Sequence, residues 1–277
     1  MITSKLAPHP DNYVIGKGEL YFDRFDSSLN RTGELDLGNA SAVGITPSYT
    51  TKEHFSSRRG LKNTDQSIDM EKKFSLKFVL EEVSNENMML ALRGPMSNWN
   101  NPQYLTQSAG TSTSEPFVAR QNRLVKLVFR DIIQGTVTLK NSAGTTMTEG
   151  ANRNTRNADF WIDYQTGRVF TTYDGRIYDM ENCTITYTYG AIKYPQMITS
   201  DDTNLIGYMR FIAKNEVGPR YEWEFWSVKV KAASEIKLIG DDYTNISFEG
   251  DILDDYVNHP TVPYFQCLEI KQTMIIS

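Results

Sequence analysis

Hydrophobic and polar residues alternate most regularly between Ser41 and Gly94. Val43, Ile45, Pro47 and Tyr49 share one parity, and Gly44, Thr46, Ser48 and Thr50 the other. After a polar interval, Ile68, Met70, Phe74, Leu76, Phe78 and Leu80 take one parity, while Asp69, Glu71, Lys73, Ser75, Lys77 and Glu81 take most of the other. Period two marks a strand with one buried and one wet face. Residues 68–80 would extend roughly 40 Å at 3.3 Å per residue, far beyond a typical strand. A ribbon that long is expected to project from its own domain or to lie along a neighbour.

The interval from Lys52 to Ser67 is polar and positively biased, with only Phe55 and Leu61 as apolar anchors. It reads as a long connection without regular structure, which in a compact domain is usually functional or mobile. Ser84 or Asn85 caps a short helix carrying Met88, Met89, Leu90 and Leu92, with Met88 and Leu92 on one face, and Gly94-Pro95 stops it. Residues 1–15 form an extended arm, and Leu20 and Phe22 open the first strand.

From 95 to 117 periodicity is lost and a loop is expected. Strands resume around Val125, Leu127 and Phe129. A hairpin turns at Gln165-Thr166-Gly167-Arg168, and Cys183, Ile185, Tyr187 and Tyr189 alternate strictly with threonines. The stretch 95–192 therefore reads as a loop and a small all-β insertion in a core formed by 16–94 and 193–277. In that core, Leu205, Gly207, Met209 and Phe211 lead a second long hairpin that returns through Tyr221, Trp223 and Phe225. Its apolar residues change parity near Trp226, which signals a bulge or burial on both faces. A turn of helix or a short strand is expected within 232–243. Tyr264, Gln266, Leu268 and Ile270 close the fold. The fold class is mainly β.

Composition narrows the function classes. The chain has 277 residues, a formal net charge of -5 and 12% aromatics, which favours sheet and disfavours a basic nucleic-acid-binding domain. No run of about 18 apolar residues is present, so no helical membrane span is expected. None of the three histidines, His9, His54 and His259, sits in a metal-ligand spacing with another ligand type, Cys183 and Cys267 form no C-x-x-C pair, and no nucleophile elbow or phosphate loop occurs. No cofactor, metal or catalytic residue is expected. The carboxylates at Asp201-Asp202, Asp241-Asp242, Asp251 and Asp254-Asp255 lack calcium-loop spacing and read as solvated turn acids. A basic loop containing Arg58, Arg59 and Lys62 on an acidic body points to electrostatic docking onto another copy, a head-to-tail contact that gives rings or filaments.

Several stretches resemble the major tail proteins, or tail tube proteins, of bacteriophages. They are N-Y-V-I-G-K-G-E-L-Y-F-D-R-F at Asn12–Phe25, Leu37-Gly38-Asn39 with the strand Val43–Tyr49, and E-H-F-S-S-R-R-G-L at Glu53–Leu61 with Asp65 and the strand from Ile68. The helix Asn85–Leu92, the hairpin Trp161–Phe170 and Phe248-Glu249-Gly250 agree in place. The resemblance covers 12–94 best, and 95–192 is extra relative to small tube proteins. It implies a tail-tube-like β-sandwich or barrel with a packed helix, assembling as hexameric rings that stack into a tube in the virion. His54, Phe55, Arg58, Arg59, Leu61 and Lys62 would then form the inter-ring contact. Asp69, Glu71, Glu81, Glu222 and Glu224 are candidates for an acidic lumen past which viral DNA and the tape measure protein move. Tail terminator and distal tail proteins would be further partners. A single terminal ring of the same fold and a secreted carbohydrate-active β-sandwich are the alternatives.

Overall fold

Alternating apolar residues need a second layer to cover them, and strands are the main element that this chain supplies. The computed structural model describes residues 13–58, 60, 62–95, 103–199 and 205–270. In chain order the elements are β1 (Gly18–Arg24), β2 (Leu35–Asp36), β3 (Ala40–Ser56), β4 (Asn63–Leu80), α1 (Asn85–Ala91), β5 (Gln103–Gln107), β6 (Gly110–Val118), β7 (Leu124–Lys126), β8 (Thr138–Lys140), β9 (Phe160–Asp163), β10 (Arg168–Thr171), β11 (Asn182–Tyr189), β12 (Ile192–Gln196), β13 (Ile206–Ala213), β14 (Arg220–Ala232), β15 (Ile246–Ile252) and β16 (Phe265–Ile270). The protein is mainly β. It divides into two units, Met1–Pro102 with Met197–Ser277, and Gln103–Gln196; the expected cuts were at 95 and 192.

The first unit is an antiparallel sheet in the order β2-β1-β13-β14-β15-β4-β3, with β16 also on β14. The long strand β14 joins β16 through Arg220–Phe225 and β15 through Val228–Ala232. Between the two joins the register against β13 slips by one residue, because Met209 faces Phe225 while Gly207 faces Val228. This bulge is what the parity change near Trp226 signals. It lets Trp223 and Phe225 on one side of it, and Val228 and Val230 on the other, all reach the same core. Leu20, Phe22, Leu76, Phe78, Leu80, Phe225 and Phe248 are fully buried there. Each such side chain contributes about 1.5–3 kcal/mol.

The helix α1 begins where Ser84 accepts a hydrogen bond from the Asn87 backbone N–H at 3.1 Å. Its buried positions are Asn87, Met89, Leu90 and Ala91. Met89 is buried and Met88 packs half-buried against the same core, whereas Leu92, past the helix end, is exposed. Asn87 fixes the helix by donating its amide to the carbonyls of Leu37 and Glu82, each at 2.9 Å.

Other expectations are corrected. The interval Lys52–Ser67 is not an irregular connection: β3 runs on to Ser56 and β4 starts at Asn63, leaving only the tip outside the strands. Polar residues form the ladder there because backbone bonds need no apolar side chain. Where a loop was expected, residues 103–107 and 110–118 are strands; they are rich in Thr, Ser and Gln, and Tyr104, Leu105, Phe117 and Val118 are too few to set up a period. Residues 233–245 hold no helix or strand. In β16 the core residue is Phe265, opposite Phe225, while Leu268 is exposed.

The second unit consists of the sheets β7-β10-β9, β6-β11-β8 and β12-β5 around its own core. Phe160, Ile162, Val169, Ile185 and Tyr187 are buried in it. Asp159, almost fully buried, accepts hydrogen bonds from the backbone of Thr148 and Arg176, each at 2.7 Å, and pairs with the Arg176 guanidinium. Tyr187 donates to Glu115 and Tyr164 to Glu149. Among the described residues no helix is long and apolar enough to cross a membrane.

Candidate functional site

The ribbon β3–β4 is paired from Ala40↔Leu80 out to Ser56↔Asn63. Its base is half-buried: Val43 and Ile45 lie against the core with Phe74. Beyond Ile45 and Phe74 this changes. Every described residue from 46 to 73 is exposed except half-buried Ser56. Four large apolar side chains are nonetheless carried there: Tyr49 is 54% exposed, Phe55 40%, Ile68 51% and Met70 61%. Pro47 is tolerated because β3 is the last strand of the sheet order, where one edge makes no ladder.

The register explains why the even parity of β4 does not stay buried. Thr50 faces Glu71 and Thr51 faces Asp69, so Met70 is an extra residue on β4; Asp65 is a second, between His54↔Gln66 and Phe55↔Thr64. Directly opposed residues of an antiparallel pair project to the same face, and one extra residue exchanges the faces of all that follow. Ile68, opposite Lys52, is therefore on the face opposite to Phe74 and Leu76. Asp69 moves to the face of Tyr49 and receives the Thr51 hydroxyl at 2.8 Å.

At the tip, His54 Nδ1 meets Asp65 at 2.5 Å, and the Lys62 ammonium lies 4.9 Å above the Phe55 ring. Arg58 is exposed, with no ion pair or hydrogen bond among the described residues. Gly60 turns the chain with φ +78. His54, Phe55, Arg58 and Lys62 are thus brought together. Arg59 and Leu61 lie outside the described residues, as does most of the arm expected at 1–15.

The five lumen candidates do not form one patch in a single copy. Asp69 and Glu71 are on opposite faces of the ribbon, and Glu71 pairs with Lys73 at 3.1 Å. Glu81 lies just past β4, where Asn39 donates to it at 2.7 Å. Glu222 and Glu224 share the face of β14 that points away from the core. Arg210 binds Glu222 at 3.1 Å and Glu34 at 2.5 Å. Glu224 accepts the Tyr208 hydroxyl at 2.6 Å and the Gln266 amide. Burial, and then the Glu224 carboxylate, pushes the Tyr208 phenol well up, so it stays a donor.

A cleft of about 560 Å³ opens beside this group. Phe25, Ile206, Trp226 and Leu253 give it apolar walls, and Glu224, Asp254 and Asp255 give it charge. The His259 ring stacks on Trp226 at 3.8 Å and 3°, and its Nδ1 meets Asp255 at 2.9 Å. Burial works against the Asp255 carboxylate, but hydrogen bonds from His259 and Asn258 outweigh it and hold its pKa below the usual range. An imidazole oriented by a carboxylate is the geometry of a general base. Ser227 lines the same cleft, yet no hydrogen bond joins it to His259 among the described residues. Nor do the described residues contain a His, Cys, Asp and Glu group fit for a metal ion. The sequence signals found neither this cleft nor the stack, because the stretch 253–259 is a loop whose acids read as ordinary turn residues.

The molecule is thus a mainly-β protein with a helix on its larger sheet, a separate smaller β unit and an exposed ribbon. It belongs to the family described as Protein of unknown function UCP028589, whose profile matches residues 13–264. No curated protein matches the chain.

Proposed function

We propose that the chain is a structural subunit of a bacteriophage tail tube, polymerising as stacked hexameric rings around a lumen that conducts viral DNA. The observation that carries this reading is the outer ribbon: strands paired out to Ser56 and Asn63, exposed on both faces, and carrying Tyr49, Phe55, Ile68 and Met70. A lone two-stranded ribbon is marginal in water, and a long edge strand invites pairing with another chain. Copies that cover each other's ribbons and join sheet edges remove both costs. The two ends of the sheet are β3 and the two-residue β2, which leaves edges on which copies can join.

In this reading His54, Phe55, Arg58, Arg59, Leu61 and Lys62 make the contact between rings. Glu222 and Glu224, with Arg210 already engaged by carboxylates, give a surface on which phosphates are repelled and not gripped. Asp69, Glu71 and Glu81 reach such a surface only through neighbouring copies. The tube would sit in the virion, take a terminator and a distal tail protein at its ends, and let the tape measure protein and DNA pass without a reaction centre or cofactor. Negative-stain microscopy of the purified protein tests this. Tubes are expected, single rings would make it a terminal ring of the same fold, and a monomer at every concentration would overturn the proposal. Changing Arg58 and Arg59 to Glu should leave the circular dichroism spectrum unchanged and weaken tube growth in sedimentation.

A further inference from the structure

The ribbon tip and the cleft carry opposite charges, and among the described residues Arg58 at the tip and Asp254 at the cleft have no ion-pair partner. Around the cleft, Glu224, Asp254 and Asp255 face one guanidinium, Arg31. Arg31 is already committed, at 2.7 Å to Asp23 and 3.0 Å to Glu34. Asp254 is exposed and has no hydrogen bond or ion pair among the described residues. Among the described residues at the tip, the cations are Lys52, Arg58 and Lys62 and the acids Glu53 and Asp65. The shapes agree as well. The cleft has apolar walls of Phe25, Ile206, Trp226 and Leu253 with acid at the rim, while the tip offers the Phe55 ring with a cation 4.9 Å above it.

The ribbon does not fill its own cleft, whose lining contains none of the residues of β3 or β4. Ile252, next to the cleft residue Leu253, pairs with Phe74, which faces Pro47 where the ribbon leaves the core. From Pro47 to Ser56 the strand leads away by about 30 Å, at roughly 3.3 Å per residue. The occupant must then come from a second copy. We propose that the ribbon tip of one copy docks in the Trp226–Asp254–Asp255 cleft of another, with Arg58 against Asp254 and Asp255 and with Phe55 and Lys62 against the apolar wall. The inference rests on the self-assembly reading above and specifies the receiving surface.

Reciprocal charge reversal tests it. Asp254→Lys alone and Arg58→Glu with Lys62→Glu alone should each raise the concentration for half-assembly by about tenfold or more, since they turn charge-assisted contacts into repulsion. The three substitutions combined in one chain should restore assembly to near the wild-type concentration. Asp254→Asn, which only removes charge, should give a smaller rise, and thermal unfolding of the dispersed variants checks that each is folded. If Asp254→Lys and Asp254→Asn assemble like the wild type while the tip variant does not, the cleft is not the receptor and the self-assembly reading survives. If each single change blocks assembly but the combination does not restore it, the pairing is refuted. A wild-type chain that never assembles overturns both.

Discussion

Cutting the ribbon short should separate folding from assembly. Tyr49 and Lys72 are opposed in the ladder, so residues 50–71 can be replaced by a two-residue Asn-Gly turn of the type that closes hairpins. Lys72 is kept because its ammonium lies 4.9 Å from the Phe74 ring and 5.9 Å from that of Tyr264. No described residue that is lost is buried, so no core surface is uncovered. The removed ladder covers no core, and a two-stranded ribbon is only marginally stable by itself in water, so its loss should change the stability of the isolated copy by no more than about 1 kcal/mol. For a unit of this size that is a shift of about 2–4 °C in Tm. Thermal unfolding followed by near-ultraviolet circular dichroism measures the first quantity, and sedimentation velocity the loss of assemblies. A fall of about 10 °C or more would mean that the ribbon is buried in its own chain. Assemblies as abundant as those of the wild type would show that the ribbon makes no contact between copies.

By contrast, Phe248→Ala should cost about 3–5 kcal/mol in a urea titration, because Phe248 is 1% exposed and stacks on Phe78 at 4.9 Å. Asp159→Asn should destabilise the smaller unit by about 1.5–3 kcal/mol, the worth of hydrogen bonds to a charged group. In the wild type, burial raises the Asp159 pKa, but the Arg176 guanidinium and the backbone of Thr148 and Arg176 outweigh it and hold it low. Its contribution is therefore complete above the unfolded carboxylate value, near 3.9, and is lost as pH falls through the lower folded value; Asp159→Asn should flatten that acid limb of the unfolding curve. A thiol reagent at neutral pH should modify exposed Cys267 and spare Cys183, whose thiol is buried and pushed up to about 11; rapid labelling of both in the native protein would refute the packing of the smaller core.

How much of this was legible in the sequence depends on what each residue pays for being misplaced. Two of the larger unit's bulges make the comparison. Near Trp226 the flanks are Tyr221, Trp223 and Phe225 before, and Val228 and Val230 after. All but Tyr221 contribute to the core, so the change of parity is written in the residues that must be buried. At Met70 the ladder shifts in the same way, but Ile68 beyond it touches no core. With nothing buried on either face, no side chain records the shift, and Ile68 looked continuous with Phe74. The same reason hid the outer ladder of 52–56 and 63–67, whose backbone bonds leave little trace in side-chain choice. Burial writes sequence patterns, and the ribbon escapes pattern reading because its own chain does not bury it. A surface ordered by backbone pairing alone, yet furnished with Tyr49, Phe55, Ile68 and Met70, has its apolar choices unexplained by this copy's core. On the proposed reading they are explained by the next copy, and the shift at Met70 is then what presents Ile68 and Tyr49 on opposite sides of the ribbon, one apolar side chain for each neighbour that flanks it.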